Sequence, residues 1–481
     1  MTTRVLAALA ILAGCTAQAA QTPAGPADAS LSPAREQAVG QPIAITFQTP
    51  FPRESPEFVQ LRAVLDAFQE RRRGTVIELL PDGPADANVI TRRILAGCAA
   101  DVLEIPLESL PEIVERGLLV PVRDSLNDSA GVLFSSAVAA SEAGGTNYAV
   151  PLRARTTQLI CNADILRRCG YDPNDPLLNN WNEMLVTCEG IRRTLGGQGC
   201  YPIAFDAAEG SSLSRVAAML IKQAQGMLVR KGEADGADTA AWQVGLQDET
   251  GTQALSMMSK LAAYIPAESL SWRTQDLLQA FAAGRVAMFF GDASAVNAIR
   301  RTAPLLEMRV VEAPVNRASG SSTTVYGAVI PANAAAYEEA CKALLTYLCT
   351  MEAQKIVMTG GPAGMPNLVP VRRALLEDRW YVDHPEYKPF LQSLRYACSS
   401  LPIPGWGEVE RQVFVPELRS LLRGEKEPKA ATAIIRRRGD EVLATYYNYT
   451  GHPSETTLLG MSLAAVGVFF LIFFTVGQRS K

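Results

Sequence analysis

Between residues 42 and 121 the hydrophobic pattern changes period repeatedly, and this alternation limits the fold more than any other feature of the chain. "QPIAITFQTP" sets Ile43, Ile45 and Phe47 at every second position, as a half-buried strand requires. "SPEFVQLRAVLDAFQERRR" then places Phe58, Leu61, Val64, Leu65 and Phe68 on one face of a helix, with Ser55 and Pro56 as N-cap and first-turn residue. "TVIELL" returns to strand, a helix over 86–97 stops at Gly97, and "DVLEIP" is strand again before the helical "SLPEIVERGLL". Strand–helix alternation of this kind predicts an α/β domain with a largely parallel sheet. Ligands of such sheets sit beyond the carboxyl ends of the strands, which directs attention to Gln48–Phe51 and Glu104–Pro106.

After Pro151 the pattern is more helical, with helices expected over 181–195, 211–229, 249–263, 274–283, 335–358 and 408–423. No internal repeat interrupts residues 42–450, and the two strand–helix regions predict two lobes. Histidine is confined to His384 and His452, so HExxH zinc sites are excluded and Ser–His or Cys–His couples have few routes. "DPNDP" at 172–176 lacks the acids of a calcium loop, and "GGQG" at 196–199 lacks the Lys-Ser/Thr of a phosphate loop. No cofactor and no metal are implied. A net charge of −4 without a basic block gives nucleic acid no footing.

Six stretches, in order, resemble the sugar-type extracellular solute-binding proteins of ABC importers. They are "ADVLEIPLESLPEIVERGLLVPVRD", "NYAVPLRARTTQLICNADILRRCGYD", "NNWNEMLVTCEGIRR" (with Asn180 where the family has Thr), "AFAAGRVAMFFGDAS", "TGGPAGMPNLVPVRR" and "LLRGEKEPKAATAII". The likeness spans about residues 42–448, and maltodextrin- and glycerol-phosphate-binding proteins are the members to compare first. It implies a two-lobed periplasmic-binding-protein-like (type II) fold with hinge crossings and no catalytic residue. Carried over, 41–150 and 291–328 form one lobe and 151–290 and 329–450 the other. The implied partners are a small solute, a sugar or sugar derivative, and the permease subunits of an importer.

A sugar-binding cleft needs aromatic platforms and forked polar groups. The strand ends and crossings offer Gln48, Thr49, Phe51, Glu104, Arg153, Arg155, Phe205, Asp292, Tyr326 and Trp406. Phe290 is a candidate for cleft or core, while Trp181, Trp242, Trp272 and Trp380 read as structural. The family's pattern reaches a sugar-stacking tryptophan after Ala-Met; here Ser294 stands at that position. Arg153 and Arg155 share one strand face, and a guanidinium fork matches carboxylate or phosphate, so the sequence points to a solute that is small and of anionic character. Two other readings are a membrane-held sensor or scaffold on the same fold, and a glycoside hydrolase using Glu104 and Asp292 as opposed carboxylates.

Both ends carry addresses. Arg4 and the apolar run Val5–Ala13 precede Leu12-Ala13-Gly14-Cys15, which resembles the lipobox of bacterial lipoproteins. This reading makes 1–14 a signal peptide, Cys15 the lipidated residue and 15–40, with no aromatic residue, a flexible tether. The second LAGC, at 95–98, reads as a helix end. At the other terminus Leu458–Val476 is 19 residues without a charge, followed by Arg479 and Lys481, so a transmembrane helix is expected over 456–476 with the lobes on the extracytoplasmic, periplasmic side. Export also permits disulfides among Cys98, Cys161, Cys169, Cys188, Cys200, Cys341, Cys349 and Cys398.

Overall fold

The computed structural model describes residues 42–450, apart from 127–130, 176, 232–241, 247, 362–363, 400–402 and 404. The opening alternation forms as expected: β1 (Ile43–Gln48), α1 (Pro56–Arg71), β2 (Thr75–Leu80), α2 (Ala87–Leu95), β3 (Val102–Pro106) and α3 (Leu110–Glu115). Local chemistry sets these boundaries. The Ser55 hydroxyl accepts from the Phe58 amide at 3.1 Å, and the Asp86 carboxylate accepts from the Val89 amide at 3.0 Å, each satisfying a free donor of a first helical turn. Gly97, at φ +68°, closes α2 in the left-handed region, so the second LAGC is a helix end. Ile45, Phe47, Ile77 and Leu79 are buried against Phe58, Leu61, Leu65 and Phe68 of α1. Each such side chain contributes about 1.5–3 kcal/mol, which holds helix to sheet.

The chain continues through β4 (Ala149–Thr156), β5 (Gln158–Asn162), α4 (Trp181–Leu195), β6 (Tyr201–Ala204), α5 (Gly210–Gln223), α6 (Asp248–Ala262), α7 (Thr274–Ala282), β7 (Val286–Gly291), α8 (Ala293–Thr302), β8 (Met308–Val311) and β9 (Ser321–Val329). It ends with α9 (Glu338–Leu348), α10 (Met351–Thr359), β10 (Val369–Pro370), β11 (Ala397–Ser399), α11 (Trp406–Val409) and α12 (Pro428–Thr450). Two sheets organise these elements. The first runs β10-β4-β9-β3-β1-β2, with β11 added to β9; the second runs β8-β5-β7-β6. Each sheet anchors one lobe.

Three expectations change here. The first sheet is mixed: β1 is parallel to β2 and β3, but β9 runs antiparallel to β3 and β4. Strand β9 returns from the other lobe and enters the sheet from the opposite end. The lobe boundaries also move. Residues 291–311, expected in the first lobe, carry β8, which pairs with β5 in the second sheet. Conversely α9, α10 and β10, expected in the second lobe, pack on the first: Leu344, Leu345 and Val357 join the core of Phe47 and Leu65. The helix expected over 335–358 is two helices, because the Thr350 hydroxyl caps a new start by accepting from the Ala353 amide at 3.3 Å.

Cys98, Cys161, Cys169, Cys188, Cys200 and Cys341 are unbridged thiols. Burial pushes the Cys188 and Cys341 thiols up to about 12, so neither reacts readily at neutral pH. Among the described residues no helix is long and apolar enough to cross a membrane. The lipobox at Cys15 and the apolar run Leu458–Val476 lie outside the described residues.

Candidate functional site

Two crossings between the lobes run side by side. At the first, between β4 and β5, the Thr157 amide donates to the Ser322 carbonyl at 3.1 Å, and Ser321 Oγ donates to the Thr157 carbonyl at 3.0 Å. Gln158 ties the second crossing to the first: its Nε2 donates to Ser321 Oγ at 3.3 Å, and its Oε1 accepts from the Ala313 amide at 2.8 Å. A third passage takes the chain from β11, on β9, to α11 in the second lobe. Short, hydrogen-bonded crossings between two packed bodies are the anatomy of a hinge.

Beside these crossings the lobes enclose two cavities that share Arg215 of α5. One, of about 150 Å³, is lined by Arg155, Asp206, Arg215, Thr274, Phe290 and Asp292. The other, of about 180 Å³, is lined by Glu108, Ser211, Ser214, Arg215, Thr324, Trp406 and Glu410. Glu108 comes from the first lobe, one turn past β3, while Arg215 and Trp406 come from the second. A wider groove of about 930 Å³ follows α4 and α6 past Asn316, but its lining contains none of these groups. Hinge closure reshapes the interlobe cavities directly, and they form the candidate site.

The electrostatics of the two cavities differ. Arg155 Nε lies 3.3 Å from Asp292 Oδ2, with side chains 24% and 15% exposed. Asp292 also caps α8, accepting from the Ser294 amide at 2.9 Å. Asp206 accepts from Ser212 and Thr274 hydroxyls, both at 2.7 Å, and burial raises its pKa. Glu108 is different: both of its carboxylate oxygens are shielded from solvent, and although the Thr324 hydroxyl and its own amide lie close, neither completes a hydrogen bond of full geometry. Burial pushes its pKa up to about 7, against the opposing pull of its own amide, Thr324, Arg215 and Arg155.

The residues expected to line a cleft divide into groups. Arg155, Asp292 and Trp406 reach the cavities. Thr49, Glu104 and Arg153 instead form a closed knot inside the first lobe. Arg153 Nε and Nη2 donate to Glu104 at 2.7 and 2.8 Å, Nη1 donates to the Glu57 carbonyl and Gln60 Oε1, both at 2.7 Å, and Thr49 Oγ1 donates to Glu104 at 2.5 Å. Both charged side chains are 0% exposed. Phe51 covers the knot, 5.0 Å from the Arg153 guanidinium and 5.1 Å from the Tyr326 ring. Gln48 is held by Pro81 and Arg93, and Phe205 is buried in the core of the second lobe. Glu108, Arg215, Ser211, Ser214, Thr324 and Glu410 were not anticipated. The strand-end rule comes close to Glu108, which lies two residues beyond Pro106.

The lobes also meet at the rim. Tyr446, near the end of α12, shares a side-chain hydrogen bond with Glu112 of α3, and Glu115 lies close to both Tyr446 and Tyr447.

Against this geometry, the sequence profile of the bacterial extracellular solute-binding proteins matches residues 63–389, more than half of the chain. The chain belongs to that family. This solute-binding protein therefore works outside the cytoplasm, and its kind are receptors and not enzymes. The glycosidase reading falls with it, since Glu104 is sealed against Arg153 and cannot oppose Asp292 across a substrate. No curated protein sequence matches it. Solved structures agree on the fold. The sugar-binding protein MalE of Xanthomonas citri is 17% identical with a TM-score of 0.70, covering 85% of this chain and 99% of its own. The GacH receptor of Streptomyces glaucescens, solved unliganded and with acarbose, is 18% identical with a TM-score of 0.65, covering 84% and 99%. The cyclic α-maltosyl-1,6-maltose-binding protein of Arthrobacter globiformis is 16% identical with a TM-score of 0.68, again covering 84% and 99%.

Proposed function

We propose that this solute-binding protein is the extracytoplasmic receptor of an ABC importer and that it traps a small carbohydrate between its lobes. The observation that carries this reading is the cavity in which Trp406 of one lobe and the buried carboxylate of Glu108 of the other face the same space, with Arg215 beside them. An aromatic wall with converging polar groups suits a ring that has an apolar face and a hydroxyl edge. The solved structures of similar fold that bind acarbose, cyclic α-maltosyl-1,6-maltose or maltodextrins support the substrate class. Cavities of about 150 and 180 Å³ fit one or two sugar rings better than a long oligosaccharide, in keeping with Ser294 where the family places a stacking tryptophan. The anionic solute expected from the arginine pair has little support here. Arg153 is spent on Glu104, Arg155 faces Asp292, and carboxylates outnumber guanidiniums around the cavities.

The same reading holds the receptor at the membrane by lipid on Cys15 and by a helix over 456–476, close to the permease subunits it serves. Titration calorimetry of the full chain in detergent against mono- and disaccharides tests the central part. Binding is expected for at least one sugar, and Trp406→Leu is expected to weaken it about tenfold or more, the loss of an aromatic platform. A chain that binds no carbohydrate overturns the proposal. The rim contact makes a smaller claim. Tyr446→Phe deletes one interlobe hydrogen bond of about 1 kcal/mol, so solute release measured by stopped flow should quicken about fivefold. An unchanged off-rate would show that closure does not use this contact.

A further inference from the structure

We infer that the solute carries a protonated amine, and that the cavity of Glu108, Glu410 and Trp406 is built for an amino sugar in preference to its neutral counterpart. The inference rests on the carbohydrate reading above and narrows its substrate class.

Arg153 is closed into its knot with Glu104, and Arg155 faces Asp292 across the neighbouring cavity. In the Glu108 cavity Arg215 is the one cation among the lining residues, facing two carboxylates, Glu108 and Glu410. Both oxygens of Glu108 are buried, and the Thr324 hydroxyl and its own amide approach them without completing a hydrogen bond of full geometry, an arrangement that costs free energy until a better donor arrives. Arg215 and Arg155 are near enough to pull the Glu108 pKa down, yet burial still holds it near 7, so the resident cations leave the carboxylate under-compensated. Ser211, Ser214 and Thr324 add hydroxyls suited to a sugar edge and contribute no charge. Trp406 supplies an aromatic wall to the same cavity. An ammonium group placed there meets an indole and a poorly compensated carboxylate, combining cation–π attraction with a charge-assisted hydrogen bond. A neutral hydroxyl can donate to Glu108 but cannot offset its charge.

The test is calorimetry of the full chain in detergent at pH 7.5 with D-glucosamine, D-glucose, N-acetyl-D-glucosamine and ethanolamine, repeated with Glu108→Gln and with Glu410→Gln. Thermal melting of each variant verifies its fold. Glucosamine is expected to bind about tenfold or more tightly than glucose or the N-acetyl sugar, and Glu108→Gln is expected to shrink that ratio to about threefold or less. Glu410→Gln should reduce the ratio as well, and it carries the test if Glu108→Gln does not fold. Neutral sugars binding as well as glucosamine, or a ratio untouched in the folded variants, overturns the inference and leaves the carbohydrate reading standing. Ethanolamine binding that depends on Glu108, with no sugar bound, supports the amine and sinks the carbohydrate. If none of the four binds, both fall.

Discussion

Arg153→Ala is expected to lower the unfolding free energy by about 3–5 kcal/mol, the cost of leaving a buried charge without its partner. Glu104 would keep only the Thr49 hydroxyl, while the Glu57 carbonyl and Gln60 amide would each lose a donor. Phe51 would lose the cation beneath its ring and with it part of the reason for its stacking on Tyr326. The remaining carboxylate cannot reach water, because both side chains of the pair are 0% exposed. Replacing both partners together, Arg153→Met with Glu104→Met, should cost less than the single change, since no uncompensated charge is left. Urea denaturation of the two variants decides the matter. A single variant within about 1 kcal/mol of wild type would mean that water enters the knot.

The second large effect is on closure of the empty protein as pH changes. Burial in the cavity between the lobes pushes Glu108 up from the ordinary carboxyl value of 4.5 to about 7, and parting of the lobes, which would give it back to water, is expected to return it toward 4.5. A raised acid binds its proton more tightly in the closed form, so closure is favoured below about pH 4.5 and loses stability as pH rises toward 7. Above that the loss is complete, at about 3 kcal/mol or roughly three-hundredfold in the closed-to-open ratio. Glu112, raised by burial beside Tyr446 of the other lobe, pushes in the same direction. Arg215 and Arg155 oppose it and are already included in the value of about 7. The expected result is a ligand-free protein whose radius of gyration, from small-angle scattering, increases between pH 5 and pH 8. Glu108→Gln should flatten most of that slope. The same slope in wild type and variant would contradict this account of closure.

The early strands and helices were readable because each announces itself locally. Ser55 and Asp86 cap their own helices, Gly97 ends one, and the alternation in Ile43–Phe47 is complete within five residues. Sheet membership was not readable in the same way. The helical spacing of 335–358 says that a helix there needs a buried face, but only the tertiary fold decides that Leu344 and Val357 join the core of Leu65. Direction was equally hidden: nothing in "SSTTVYGAV" tells that β9 runs against β3.

The site was half legible for a related reason. Arg153 and Arg155 do share a strand face, but α1 covers the first with Glu57 and Gln60 while the second extends to the cleft. Glu108 sits in a single turn, Leu107–Ser109, that reads as the lead-in to a surface helix. What buries it lies elsewhere in the chain: α5 of the other lobe, which carries Arg215, lines the same cavity. Arg215 itself reads as the polar side of an amphipathic helix. Interlobe sites are assembled from residues that look ordinary within each lobe.

The most direct test of the central claim is a crystal structure of the protein grown with the carbohydrate that calorimetry shows to bind. Density for an intact, unaltered sugar is expected between Glu108 and Trp406. Density in the groove beside Asn316, or a cleaved product between the lobes, would contradict the claim.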